Sequence, residues 1–262
     1  DWSTYVDGIV TEKDHYFHEG SFVFKKGEYY YFTYADISQN HRPTSIGYAM
    51  SKSPLGPYEY KGIIINNAGC DPKTWNNHGS IVQFGNQWYV LYHRSTHGSS
   101  AMRKACIEPI EFNPDGTINE VEMTSQGAGA PLDAFKTIYA AQTCWMNGNA
   151  RIRGMQNNPL KEELGAIRNN DIAVWKYLDF DTGANQMSIE VKSDLGGEII
   201  VRADSPNGNI LGTFTIPANT DWKVYETTIK TISDVHALWM EWKGPESDSN
   251  ELFRINWFTF AK

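Results

Sequence analysis

The sequence predicts an all-β chain in two parts, and three observations carry that prediction. Apolar and aromatic residues recur with a period of two in short runs, and Gly, Pro, Asn and Asp bound those runs. Nine Trp, fourteen Tyr and twelve Phe bring the aromatic content to 13%, and these residue types are favoured on pleated sheets. A composition break with Gly127, Gly129 and Pro131 lies between two sets of strands and sets a boundary near residue 133. The expected domains are therefore 1–133 and 134–262.

In the first part the alternating runs are 21–25, 29–34, 45–51, 58–65, 80–84, 87–93, 102–109 and 110–112. Hairpin signals join them at Lys26-Gly27-Glu28, Phe84-Gly85-Asn86 and Asn113-Pro114-Asp115-Gly116. Short strands at this spacing suit the blades of a β-propeller. In the second part strands are read at 150–153, 172–178, 186–192, 198–204, 210–216, 223–229, 237–243 and 253–260. Eight strands in about 125 residues read as a β-sandwich or jelly roll.

Composition excludes some function classes. The formal net charge is −8 and no basic cluster is present, which argues against nucleic acid as a partner. No apolar run approaches the 18 residues of a helical membrane span. Cys70, Cys106 and Cys144 lack metal-ligand spacing. One pair could be bridged, or all three are buried thiols acting as small apolar residues.

The candidate chemistry begins at Glu19, an acid set among His15, Phe17, His18 and the aromatic run 29–34. A carboxyl group in apolar surroundings has its charged form disfavoured, so its pKa rises. A carboxylic acid kept protonated near neutral pH serves as a general acid. His15 and His18 flank Glu19 and read as surface residues.

The first part resembles glycoside hydrolase family 43, five-bladed β-propeller enzymes that remove arabinose, xylose or galactose from plant polysaccharides. The resemblance rests on Glu19-Gly20-Ser21, the turn Lys26-Gly27-Glu28 and the aromatic strand 29–34. It continues through Ile46-Gly47-Tyr48-Ala49-Met50-Ser51 with Pro54-Leu55-Gly56-Pro57, and through Asn76-Asn77-His78-Gly79-Ser80 followed by Trp88-Tyr89-Val90-Leu91-Tyr92-His93-Arg94. Cys106-Ile107-Glu108-Pro109 extends it. The resemblance implies a partial five-bladed propeller with Glu19 as general acid. It implies His78 in the central channel, touching substrate and a calcium or other cation there, and no other cofactor. It implies Phe17 and Arg94 as sugar-binding residues; a salt bridge that positions a carboxylate is an equal reading of Arg94.

The family also uses an Asp base and an Asp that tunes the acid, both upstream of its Glu. Asp1, Asp7 and Asp14 match neither motif. Inverting hydrolysis needs a base about 6.5–9.5 Å from the acid, with room for water between them. The expectation is thus part of an enzyme that hydrolyses arabinofuranosyl or xylosyl linkages by inversion, inactive alone and partnered by the N-terminal half of the propeller. A secreted or periplasmic setting goes with plant polysaccharide as substrate. A non-catalytic carbohydrate-binding protein is the alternative.

The second part resembles carbohydrate-binding module family 6, on Leu164-Gly165-Ala166-Ile167, 171–180, 197–204, Asp221-Trp222-Lys223-Val224-Tyr225 and 253–260. Three positions depart from that family. Ala166 stands where a stacking aromatic is usual, Arg254 stands for an Asn, and Asn256 for an Asp. Residues 138–142 hold no carboxylate for the family's structural calcium. The sandwich is therefore expected to be a weak sugar binder.

Overall fold

Period-two patterning becomes antiparallel sheet along nearly the whole chain. The computed structural model describes residues 7–39, 44–69, 77–156, 158–247 and 250–262, so Asp1, Cys70 and Asn76 lie outside the described residues. Two compact units divide after Met123.

In the first unit, β1 (Phe17–Lys26), β2 (Tyr29–Asp36), β3 (Ser45–Ser51) and β4 (Glu59–Ile65) form a four-stranded antiparallel meander in chain order. The predicted hairpin is present, with Lys26 opposite Tyr29 and Gly27 at φ 59° between them. A second antiparallel sheet follows: β5 (Gly79–Phe84), β6 (Gln87–Thr96) and β7 (Ser99–Ile110). The runs read separately at 102–109 and 110–112 are largely one strand, β7, because Phe112 leaves it to bridge Ile118 across the 113–116 turn.

The two sheets share a core. Tyr31, Ile46, Tyr48, Met50, Ile64 and Ile65 pack with Ile81, Val90, Tyr92 and Ile110. Ile118 closes this cluster and is pinned by Tyr48, whose hydroxyl donates to Ile118 O at 3.0 Å and accepts from its N–H at 2.7 Å. On the other face of the first sheet Tyr34, Ala49 and Tyr58 gather Phe17, Phe32 and Tyr60. A single helical turn, α1 (Glu12–His15), is capped by Thr11 and sits against this cluster through His15.

The second unit is a β-sandwich. One sheet runs β10 (Trp145–Met146), β13 (Ile172–Asp179), β18 (Val235–Lys243), β15 (Gly197–Ala203), β16 (Ile210–Ile216), and β8 (Leu132–Asp133) pairs with β13. The other runs β11 (Arg151–Met155), β12 (Asn158–Ile167), β19 (Phe253–Ala261), β14 (Ala184–Ser193), β17 (Asn219–Ile232), and β9 (Ile138–Tyr139) pairs with β19. Trp175, Trp242, Phe253 and Phe258 are fully buried between them. Each such ring contributes about 1.5–3 kcal/mol over exposure.

The unit begins before residue 133 because the break is not a free tether. Ser125 and Gln126 both donate backbone N–H groups to Lys176 O, at 2.5 and 3.0 Å, and β8 aligns parallel to β13. Strand β12 is not among the alternating runs read from the sequence, because Pro159 and the charged run Lys161-Glu162-Glu163 break the alternation, yet Leu164 and Ile167 of the same strand are fully buried.

Candidate active-site segment and sugar cleft

Glu19 lies on β1 opposite Ala35, between two register shifts in the pairing with β2. Its side chain is exposed. The apolar setting expected for it is therefore not what this chain provides. Along β1 the residues alternate: Phe22 and Phe24 are half-buried, whereas Glu19, Ser21, Val23 and Lys25 face solvent. Phe22 and Phe24 thus turn away from the carboxylate.

Gly20 explains how the motif meets the next sheet. It adopts φ 65°, a left-handed conformation that suits glycine. A Cβ there would stand 2.6 Å from the Cβ of His78. Only a glycine lets β1 approach His78 this closely, so the residue after the acid and the histidine before β5 are matched in space. His78 in turn meets His93 edge to face, with ring centroids 4.8 Å apart. The structure thus brings Gly20, His78 and His93 together beside the Glu19 segment.

The remaining predicted residues are placed differently. Phe17 packs its ring edge-on against Tyr34 at 5.4 Å and Phe32 at 6.2 Å. It is part of an aromatic cluster rather than a ring open to sugar. Arg94 is 6% exposed and follows His93 on β6, so it turns to the opposite face of that strand. It is buried rather than open to a ligand arriving from solvent. His15 is not a free surface residue: Thr11 N–H donates to Nδ1 at 3.0 Å, and Nε2 lies 3.0 Å from Tyr58 O. Both contacts are met by the neutral ring with its proton on Nε2.

Two imidazoles at His78 and His93 form a poor donor set for calcium, which takes six to eight oxygens. Among the described residues no group of three or more His, Cys, Asp or Glu side chains converges to hold a metal. The cation expected at His78 therefore lacks a fitting donor set here, and no chemistry is routed through it. Of the cysteines, Cys106 is half-buried and Cys144 fully buried.

One carboxylate near this segment escaped the sequence reading. Asp36 ends β2 opposite Phe17 and is 1% exposed. Its Oδ1 accepts from Ser38 N–H at 2.8 Å and from the Ser38 hydroxyl, while Oδ2 is buried. Burial pushes its pKa up, and the Ser38 bonds only partly counter this. Oδ2 lies over Gly47, where a Cβ would stand 2.2 Å away. A polar residue closing an aromatic strand, followed two residues later by Ser, was the available signal.

In the sandwich, the departures from the resembled module converge. Ala166 sits at φ 56° and donates its N–H to Glu251 at 2.5 Å. Arg254 donates from Nε to the same carboxylate at 2.5 Å. Arg153 holds Glu251 by contacts of 2.7 and 2.8 Å and Glu163 at 2.9 Å. Burial alone would raise the Glu251 pKa, but Arg153, the Ala166 N–H and Arg254 together hold it below the usual carboxylate range. Asn256 turns its amide nitrogen to Glu190 at 2.5 Å. Beside this network lies a pocket of about 210 Å³ with Trp222 and Arg254 in its wall.

Residues 3–118 match the family model "Glycosyl hydrolases family 43" and residues 140–262 match "Carbohydrate binding module (family 6)". A "Xylosidase/arabinosidase" of Thermoclostridium stercorarium is 30% identical over 92% of this chain and 56% of its own length. An "Arabinoxylan arabinofuranohydrolase" of Bacillus subtilis is 29% identical over 90% of this chain and 49% of its own. A solved glycoside hydrolase family 43 arabinoxylan arabinofuranohydrolase from Bacillus subtilis, in complex with cellotetraose, is similar with a TM-score of 0.53 and 28% identity. That similarity covers 94% of this chain and 54% of that one. The chain thus spans about half the length of the relatives it matches. Its first unit belongs to glycosyl hydrolase family 43 and its second to carbohydrate-binding module family 6.

Proposed function

We propose that this chain is the acid-bearing part of a glycosidase that removes arabinofuranosyl or xylosyl groups from xylan-type polysaccharide outside the cell. The observation that carries this reading is the fit of Gly20 against His78, which leaves no room for a Cβ. It ties the Glu19-Gly20-Ser21 motif to the histidine of the next sheet, as the family resemblance requires. Glu19 donates a proton to the leaving glycosidic oxygen. An Asp outside these residues activates water on the opposite face of the sugar, giving inversion. Asp14 is no substitute, because it belongs to the α1 turn and is exposed. Exposure of Glu19 fits an acid whose desolvated pocket is completed by further blades.

The experiment compares a full-length enzyme carrying this segment with its Glu19→Gln variant. General acid catalysis contributes about 10²–10⁴-fold. That loss is expected on polysaccharide, and a smaller one on nitrophenyl glycosides, whose leaving group needs less protonation. Equal losses on both substrates, or retained activity, defeat the acid role. The chain alone is expected to turn over neither nitrophenyl arabinofuranoside nor xyloside. Turnover that disappears in Glu19→Gln would place a base inside these residues. Sugar binding without turnover by the full-length protein would favour the non-catalytic alternative.

A further inference from the structure

We propose that the pocket beside Trp222 takes a single acidic sugar, a uronate residue, in place of a neutral one. The inference rests on the sugar-binding assignment of the second unit and not on the acid role of Glu19. The pocket of about 210 Å³ is walled by Trp222, Lys192, Arg254, Glu163, Gln156 and Asn158. Drug-sized ligands fill about 300–1,000 Å³, so this space suits one sugar residue rather than a chain segment.

Its chemistry is that of half a stacking platform joined to a cationic edge. The Trp222 ring offers an apolar face for the C–H side of a pyranose. Among the described residues that line the pocket Trp222 is the only ring, and Ala166, where the resembled family usually carries an aromatic, commits its N–H to Glu251. Lys192 places Nζ 5.2 Å from the Trp222 ring centroid. Lys192 and Arg254 are directly opposite each other across β14 and β19. Like charges in such a pair are destabilising, so an arrangement that keeps both beside a pocket favours an anionic occupant.

Three of the carboxylates around the pocket are paired with arginines. Glu163 pairs with Arg153 at 2.9 Å. Glu251 is held by Arg153 and Arg254, and Asp194 lies 3.5 Å from Arg254. Glu190, two positions before Lys192 on the same face of β14, accepts from the Asn256 amide and keeps its charge. Among the described residues Lys192 forms no ion pair, so its ammonium is open to a ligand carboxylate at the pocket. Asn158 Oδ1 accepts from Leu160 N–H at 3.2 Å, which leaves its amide hydrogens to donate. A uronate stacked on Trp222, with its carboxylate toward Lys192 and its hydroxyls toward the amides, meets every one of these groups.

The test is calorimetric titration of the whole chain at neutral pH and low salt. The ligands are a xylo-oligosaccharide bearing one glucuronic acid branch, the same compound after carboxyl reduction, and unbranched xylotetraose. At least tenfold tighter binding of the acid form is expected, falling toward the neutral value in 0.5 M salt. Lys192→Gln is expected to remove most of the preference, and Trp222→Ala to weaken all binding. Lys192 borders an open pocket, so its variant is expected to melt with the parent. Equal affinity for the acid and its reduced form, or a preference unchanged in Lys192→Gln, overturns the inference and leaves sugar binding by the unit intact. No binding of any ligand overturns both.

Discussion

Removing the charge of Glu251 while keeping its shape, in Glu251→Gln, should unfold the sandwich at markedly lower temperature. This carboxylate is 9% exposed and accepts from Arg153, Arg254 and the Ala166 N–H. The substitution leaves two guanidinium groups partly unpaired and sets an amide N–H against donors. Breaking a buried pair from one side costs about 3–5 kcal/mol. The side chains of Arg153 and Arg254 are 32% and 25% exposed, so water recovers part of that. A cost of about 2–3 kcal/mol follows, or roughly 6–10 °C in Tm for a unit of this size. The pH dependence has a fixed sign. Because the folded-state pKa lies below the unfolded value of about 4.3, the stabilisation is complete above that pH and is lost as pH falls through the folded pKa. Scanning calorimetry at pH 7 should show the full difference between parent and variant, and at pH 3 a much smaller one. A shift under about 2 °C at pH 7, or an equal shift at both pH values, refutes the account.

Asp36→Asn should flatten the pH profile of the first unit. Burial raises the Asp36 pKa, so the native carboxyl loses stability as pH rises from about 3.9 through its folded value; denaturant titrations at pH 4 and pH 7 with unchanged slope would contradict this. Gly20→Ala combines a left-handed φ with a 2.6 Å approach to His78 and should cost about 2 kcal/mol or more, visible as a lower Tm and shifted His78 ring resonances. Tyr48→Phe removes both hydrogen bonds to Ile118 and should cost about 1–3 kcal/mol; an unchanged denaturation midpoint would show that the 112–118 hairpin is held otherwise.

The fold was legible wherever one sheet face is buried. The run 45–51 was read with the bounds the structure gives, and 29–34 is lengthened only by Ala35 and Asp36. Period-two reading failed at β12, where the polar first half carries Pro159 and three charged residues, and tertiary packing of Leu164 and Ile167 decides the conformation. It also misjudged the surroundings of Glu19. Neighbours in a strand point to opposite faces, so Phe22 and Phe24, close to Glu19 in the sequence, lie on the other face from it. His15 was misread for a similar reason, since its partner Tyr58 is 43 residues away. Asp36 was hidden because burial of a carboxylate depends on what covers it, here a sheet face shared with Tyr34 and Phe17.

The sequence showed Ala166 and Arg254 as two unrelated departures from a sugar-binding module, one losing a stacking ring and the other gaining a cation. In space they are one feature. Ala166 N–H and Arg254 Nε both end on Glu251, which Arg153 holds from the other side. The cation at 254 needs a counter-charge if it is to stay near the interior, and Glu251 supplies it. Glu251 in turn needs donors around both oxygens, and the left-handed turn at Ala166 aims a backbone N–H at one of them. A bulky aromatic at φ 56° would be strained there, whereas a small side chain tolerates it better. The loss of the ring and the gain of the cation thus support each other. Of the stacking pair, Trp222 alone remains, beside Lys192. That coupling is why the cleft reads as re-specified toward charge rather than merely eroded.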